Sequence, residues 1–259
     1  MQVDIVISGI GAVWAASATT AALLSGGKAD AIISCGCSGA HVVGQKMGDM
    51  VLGAQVKPLD ARVIAADGTL TYSGVRFSMT TKGTTSWEAD PTLLALATTA
   101  AHEVRATHAP EMRIDVGVVG SGDAWRQSVR VIHEVHEQAD TLCEEMEAHA
   151  VAQVASHFKV PFVAIKDVAN SELAPEDIQL EPSHHIVPES CKVGYHAALV
   201  TESVVRMLAG VPTRTEPLTT PASATSSAAS SPTASRKRAS SAAASGSPRV
   251  ARRTATTKA

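Results

Sequence analysis

Across residues 1–210, short apolar runs alternate with stretches whose apolar positions recur every three or four residues. The runs lie at 3–8 (VDIVIS), 30–36 (DAIISCG), 48–56 (GDMVLGAQV), 71–79 (TYSGVRFSM), 113–122 (RIDVGVVGSG) and 160–166 (VPFVAIK). They are short, rich in valine and isoleucine and bounded by glycine or charge, as buried strands are. The helical period occurs at 91–105, 145–158 and 192–208. Residues 9–24 (GIGAVWAASATTAALL) read as a two-glycine turn into a small-residue helix packed closely on a sheet. Strands alternating with helices predict an α/β layer fold with a largely buried sheet.

The pattern stops near Gly210. Residues 211–259 are Ala, Ser, Thr, Pro and basic residues, with no aromatic residue, and cannot bury enough apolar surface to offset the entropy of ordering. The 259 residues therefore read as one body, 1–210, and a disordered tail, 211–259. Charge divides at the same place: the tail has eight basic residues against Glu216, net +7, and the body 14 basic against 24 acidic, net −10. An acidic body argues against nucleic acid as its main partner. The tail, with its "SRKR", is the only part suited to touch nucleic acid or to direct nuclear entry, and otherwise reads as a solubilising extension. Cys35, Cys37, Cys143 and Cys191 lack the paired spacing of a zinc site. No signal-peptide pattern and no spanning apolar run is present, so the reading is a reduced, cytoplasmic protein without membrane association.

Two motifs resemble cofactor or metal signatures only in part. "SGIGA" (8–12) lacks the third glycine and the later acidic residue of a dinucleotide fingerprint, and reads as a tight strand–helix turn. "HEVHE" (133–137) spaces its histidines three apart rather than four, and reads as a solvated helix or loop. The stronger signals are at strand ends, where open α/β sheets bind ligands. "IISCGCSGAH" ends in small residues that let backbone approach a ligand, "VVGSGDAW" ends in Ser121, Gly122, Asp123 and Trp125, and "VPFVAIKDVANSE" in Lys166, Asp167 and Asn170. "CEEMEAHA" adds three glutamates where a helix is predicted to open; Glu144 reads as a helix-start charge.

Taken in order, "SGIGAVWAASATT", "CGCSGA…GDMVLGAQV", "GSGDAW" and "EEMEAHAVAQVASHFKVPFVAIK" resemble the nucleoside phosphorylase and nucleosidase superfamily. The likeness is particularly to bacterial-type 5′-methylthioadenosine/S-adenosylhomocysteine nucleosidases, and it spans the body. The resemblance implies a three-layer αβα sandwich with a central mixed sheet, and cleavage of the N-ribosidic bond of a purine nucleoside. It assigns Glu147 to the ribose hydroxyls, Met146 to the sugar and Glu145 to the acidic position before that methionine. Trp125 would stack on the purine, Arg126 would offer backbone contacts to the base, and Cys37, Ser38 and Gly39 would line the ribose and nucleophile side. It implies no cofactor or metal, water or phosphate as co-substrate, and a homo-oligomer, commonly a dimer.

Two departures qualify this. The family's acid at the purine N7 falls on Asn170 in an ungapped register, or on Asp167 with a three-residue deletion, and the ungapped register is preferred. The family's opening strand–turn–helix unit, with a glutamate near the nucleophilic water, has no counterpart here, so 1–210 reads as an amino-terminally incomplete domain, active only if that unit is dispensable. Ser34 stands where a phosphate-binding arginine would precede the small-residue turn, which favours hydrolysis over phosphorolysis. The alternatives are a phosphorylase, a non-catalytic storage or ligand-binding relative, and a basic-tail scaffold.

Overall fold

The computed structural model describes residues 1–26, 28–75, 82–173 and 193–210. Its centre is a six-stranded mixed sheet of β1 (Ile32–Ala40), β2 (Met50–Pro58), β5 (Trp87–Glu88), β6 (Ile114–Ser121), β7 (Thr141–Glu145) and β8 (Phe162–Asn170), in the order β5-β2-β6-β7-β1-β8. The pairs β1/β8, β2/β6 and β6/β7 are parallel, and β1/β7 and β2/β5 antiparallel. β2 also pairs antiparallel with β8, from Met50↔Asp167 to Gly53↔Ala164, so five strands close on themselves and β5 hangs outside. Gly53 sits where three strands converge: a Cβ there would lie 3.0 Å from the Ala164 Cβ and 3.1 Å from a Val119 methyl. β3 (Arg62–Ile64) and β4 (Leu70–Tyr72) form a separate hairpin.

Period-2 alternation divides the core between the sheet's two faces. Val51, Ala164 and Val168 face α1 (Ala12–Gly26) and α4 (Ala148–Phe158), whose alanines, Ala15, Ala152 and Ala155 among them, bring the two helices close. Met50, Leu52, Val163 and Ile165 face α2 (Pro91–Thr107) and α5 (Tyr195–Leu208). Asp90 caps α2 by accepting from the Thr92 and Leu93 N–H groups, with Pro91 opening the helix. The amphipathic α3 (Val129–Ala139) covers the β7 side. The expected three layers and mixed sheet are therefore present. Among the described residues, no helix is long and apolar enough to cross a membrane.

Three sequence expectations change. Residues 3–8 add no strand to the sheet and are largely exposed, Ile7 at 87% and Ile5 at 68%. None of the pairings among the ring's strands includes this run. The helix read at 145–158 begins at Ala148, because Glu144 and Glu145 still belong to β7. Of 71–79, the residues up to 75 give only the end of β4 and a bridge from Val75 to Thr84; the remainder lies outside the described residues, as do Cys191 and the tail. "HEVHE" is helical within α3: His133 is exposed and His136 bonds the Thr141 carbonyl oxygen through Nδ1 at 2.7 Å.

Candidate active site

Adjacent strand residues point to opposite faces, so Glu144 and Glu145 go to different surroundings. Glu145 is 7% exposed and meets the Lys166 ammonium at 2.9 Å, while Lys166 also donates to Ser34 Oγ at 3.1 Å. The Glu145 carboxylate further accepts from the Ala148 N–H, at 2.9 and 3.0 Å, and from the Glu147 N–H at 3.2 Å, so a strand residue caps α4 from outside. Burial works against the Lys166 charge, but the Glu145 charge and hydrogen bond outweigh it and raise the lysine above its ordinary value. Glu145 is thus saturated by internal partners.

Glu147 is different. It is half-buried, at the α4 N-cap position without capping the helix, and its Oε1 accepts from the Gly11 N–H at 2.7 Å. Burial, followed by the nearby Glu145 charge, raises its carboxyl above the ordinary value; the Gly11 bond and Lys166 pull the other way. Asp123 Oδ1 accepts from the Ala12 N–H at 2.8 Å. The "SGIGA" turn therefore aims the first N–H groups of α1 at two carboxylates, and a helix start that could have met a phosphate is occupied by protein acids. Gly11 has φ of 93°, and a Cβ there would lie 3.0 Å from the Asp123 Oδ1, so both backbone shape and space require glycine.

Trp125 and Arg126 follow β6. Trp125 is 48% exposed, whereas the Arg126 side chain is buried against Glu144 at 2.7 Å. Glu144 also accepts from the Arg126 backbone N–H at 3.2 Å and faces His41 Nε2 at 3.3 Å. Burial would raise the Glu144 carboxyl, but His41 and Arg126 together hold it below the ordinary range. Glu144 is therefore no helix-start charge but the centre of a buried polar cluster.

At the end of β1, Ser38 Oγ donates to the Asp167 carbonyl oxygen at 3.1 Å. Desolvation, then the Asp167 charge, keeps the Cys37 thiol above its ordinary value, and burial pushes Cys143 up to about 12. Gly39 is in register with Asn170 across a bulge and lies against its side-chain amide, which also reaches Glu172 Oε1 at 3.5 Å. Asp167 is fully buried, and its carboxylate accepts from the Gly194 N–H at 2.9 Å, the His196 N–H at 3.1 Å and the Ala197 N–H at 3.3 Å. It holds the start of α5, a task no side chain within that helix performs. Asp167→Asn should accordingly lower stability by about 1–2 kcal/mol, the usual scale for a lost cap, and leave turnover largely intact. Asn170→Ala should do the reverse, as thermal unfolding and initial rates on both variants would reveal.

The structure thus brings Glu145, Met146, Glu147 and the α1 turn together, and places Gly39 beside Asn170. Sequence reasoning missed His41, Asp60 and the partners of Glu144 and Lys166. One signal was available: a lysine inside the continuous apolar strand "VPFVAIK" requires a buried counter-charge.

Comparison with known proteins first sets the fold class. The 5′-methylthioadenosine/S-adenosylhomocysteine nucleosidase of Neisseria meningitidis, solved with methylthio-immucillin-A, superposes with a TM-score of 0.61 at 24% identity, over 78% of this chain and 79% of that one. Futalosine hydrolase of Helicobacter pylori superposes at 0.59 with 22% identity, over 77% of both chains. The chain thus shares the α/β fold of these hydrolases. A family model, the phosphorylase superfamily, matches residues 1–193, and the chain belongs to that family. Among relatives, the 5′-methylthioadenosine/S-adenosylhomocysteine nucleosidase of Bacillus velezensis is 31% identical over 176 residues, 66% of this chain and 71% of the relative. That of Chromohalobacter salexigens is 28% identical over 209 residues, covering 80% and 81%.

Proposed function

We propose that this protein hydrolyses the N-ribosidic bond of a purine nucleoside of the methylthioadenosine/S-adenosylhomocysteine type. The observation that carries this is Glu147, a half-buried carboxylate fixed by the Gly11 N–H beside a Glu145–Lys166 pair that is already neutralised. The relatives, named as nucleosidases at 31% identity, support the same reading.

In this reading the Glu147 carboxylate accepts from the ribose hydroxyls and Met146 packs on the sugar. Trp125 stacks on the purine beside Arg126, and Cys37, Ser38 and Gly39 line the face from which water approaches. As the bond from the anomeric carbon to nitrogen breaks, its electron pair leaves with the base and the sugar becomes cationic. Water then adds hydroxide to that carbon, and a proton reaches the base. Asn170 can donate a hydrogen bond to N7 but transfers no proton, so its contribution is to orient and stabilise the departing base. The reading extends to a homodimer acting in a reducing cytoplasm, in keeping with free thiols at Cys35, Cys37 and Cys143.

The test is release of free purine from methylthioadenosine, S-adenosylhomocysteine, adenosine and inosine by the full chain, with and without phosphate. Phosphate-independent release, fastest from the first two, is the expected result. Dependence on phosphate would make the protein a phosphorylase. Tight binding without release would make it the non-catalytic relative.

A further inference from the structure

The chemistry above leaves Glu144 without a task, although its carboxylate is held by both Arg126 and His41. It grips residue 126 twice: Oε1 accepts from the backbone N–H at 3.2 Å and Oε2 from the guanidinium Nη1 at 2.7 Å. The same guanidinium donates to the Ala124 carbonyl at 3.2 Å and lies 3.8 Å from Asp60 Oδ1. His41, 1% exposed, points Nε2 at Glu144 while its Nδ1 bonds Thr141 Oγ1 at 2.7 Å. Asp60 Oδ2 accepts from the Asp123 N–H at 2.5 Å, and Asp123 is tied to α1 through Ala12. Residues 122–126 are therefore pinned on both sides of Trp125, the one large apolar side chain among them that remains exposed.

We propose that Glu144 is a positioning residue for base recognition: acting through Arg126, it fixes the Trp125 indole and the residue-126 backbone for the purine. This rests on the nucleoside reading above. A buried ion pair adds little net stability compared with apolar groups of the same volume, so what it supplies here is geometry. An indole on an unpinned loop would have to be ordered at each binding event, and holding the loop in place beforehand removes that cost. The two-point grip distinguishes Glu144 from a surface counter-ion, because it restrains the backbone of the residue next to the tryptophan as well as a side chain.

The experiment compares wild-type full chain, Glu144→Ala and Glu144→Gln. Binding of adenine and of methylthioadenosine is followed by tryptophan fluorescence, with Trp125→Phe identifying the responding indole and ribose as a probe without a base. Glu144→Ala is expected to weaken adenine binding about 10-fold or more, the scale of a lost charge-assisted bond, and to raise KM rather than lower kcat. Glu144→Gln keeps an oxygen for the Arg126 N–H and should recover most of that affinity; it also decides the matter if the alanine variant does not fold. Equal adenine affinity in a folded variant overturns the positioning role, as does a loss shared by ribose. A wild-type chain that binds no purine overturns the nucleoside reading and this inference with it; one that binds, with variants to match, overturns this inference alone.

Discussion

Glu147→Ala should lower kcat/KM for nucleoside cleavage by roughly 10²–10⁴. In the proposed reading two sugar hydroxyls donate to this carboxylate, in charge-assisted bonds worth about 1.5–3 kcal/mol each, and these hold the ribose while it becomes cationic. The acid dependence should match. Burial and the Glu145 charge raise the Glu147 carboxyl, so the acid limb of kcat/KM, which reports the free enzyme, should lie above the ordinary glutamate value of about 4.3. The sign of the stability effect is opposite. A carboxyl whose folded value is raised stabilises the fold at low pH, and that contribution is lost as pH rises through the folded value. Above that folded value the carboxylate form of Glu147 adds no stability through its charge, and Glu147→Ala should melt no earlier than wild type there. Rates across pH and thermal unfolding of the same variant check both statements. A variant that melts much earlier and loses activity only in proportion would make Glu147 structural.

Much of this was legible because it is local. The apolar runs located β1, β2, β6 and β8, and the helical period located α2, α4 and α5, since a side chain's direction follows directly from backbone period. Residues 3–8 show the limit. An apolar run has the same composition whether it is sandwiched or lies outside, and its place depends on pairings between residues distant in sequence, such as the β2–β8 pairing more than a hundred residues apart. Glu144 was misread for a related reason. An acidic residue before an apolar helix reads as a first-turn charge, yet Glu144 and Glu145 lie in β7, and strand alternation sends Glu145 to Lys166 and Glu144 to Arg126. The hold of Asp167 on the α5 start was likewise illegible, because its partners are distant in sequence.

Lys166→Met should be the most destabilising single change at the site, costing about 3–5 kcal/mol, the scale for removing one member of a buried pair. Both side chains are nearly without solvent, 3% and 2% exposed, so neither charge is screened as a surface pair would be. Methionine approximates the volume and leaves the Glu145 carboxylate with only the Ala148 and Glu147 N–H groups. For a domain of this size such a loss lowers Tm by roughly 10 °C or more. Replacing both partners, as Lys166→Met with Glu145→Gln, should recover a large part of it, because no uncompensated charge then remains. The alkaline side gives an independent sign. Lys166 is raised in the fold, so its contribution is fully present below the unfolded value of about 10.4 and is lost only as pH rises through the folded one. Wild type should therefore lose stability in that alkaline range where the variant does not. The same lysine reaches function through charge: it lowers Glu147 while Glu145 raises it, so removing Lys166 should move the acid limb of kcat/KM further up. A variant that melts like wild type would mean the pair contributes no more than an apolar contact. A large Tm loss with an unmoved acid limb would mean that the Lys166 charge is not felt at Glu147.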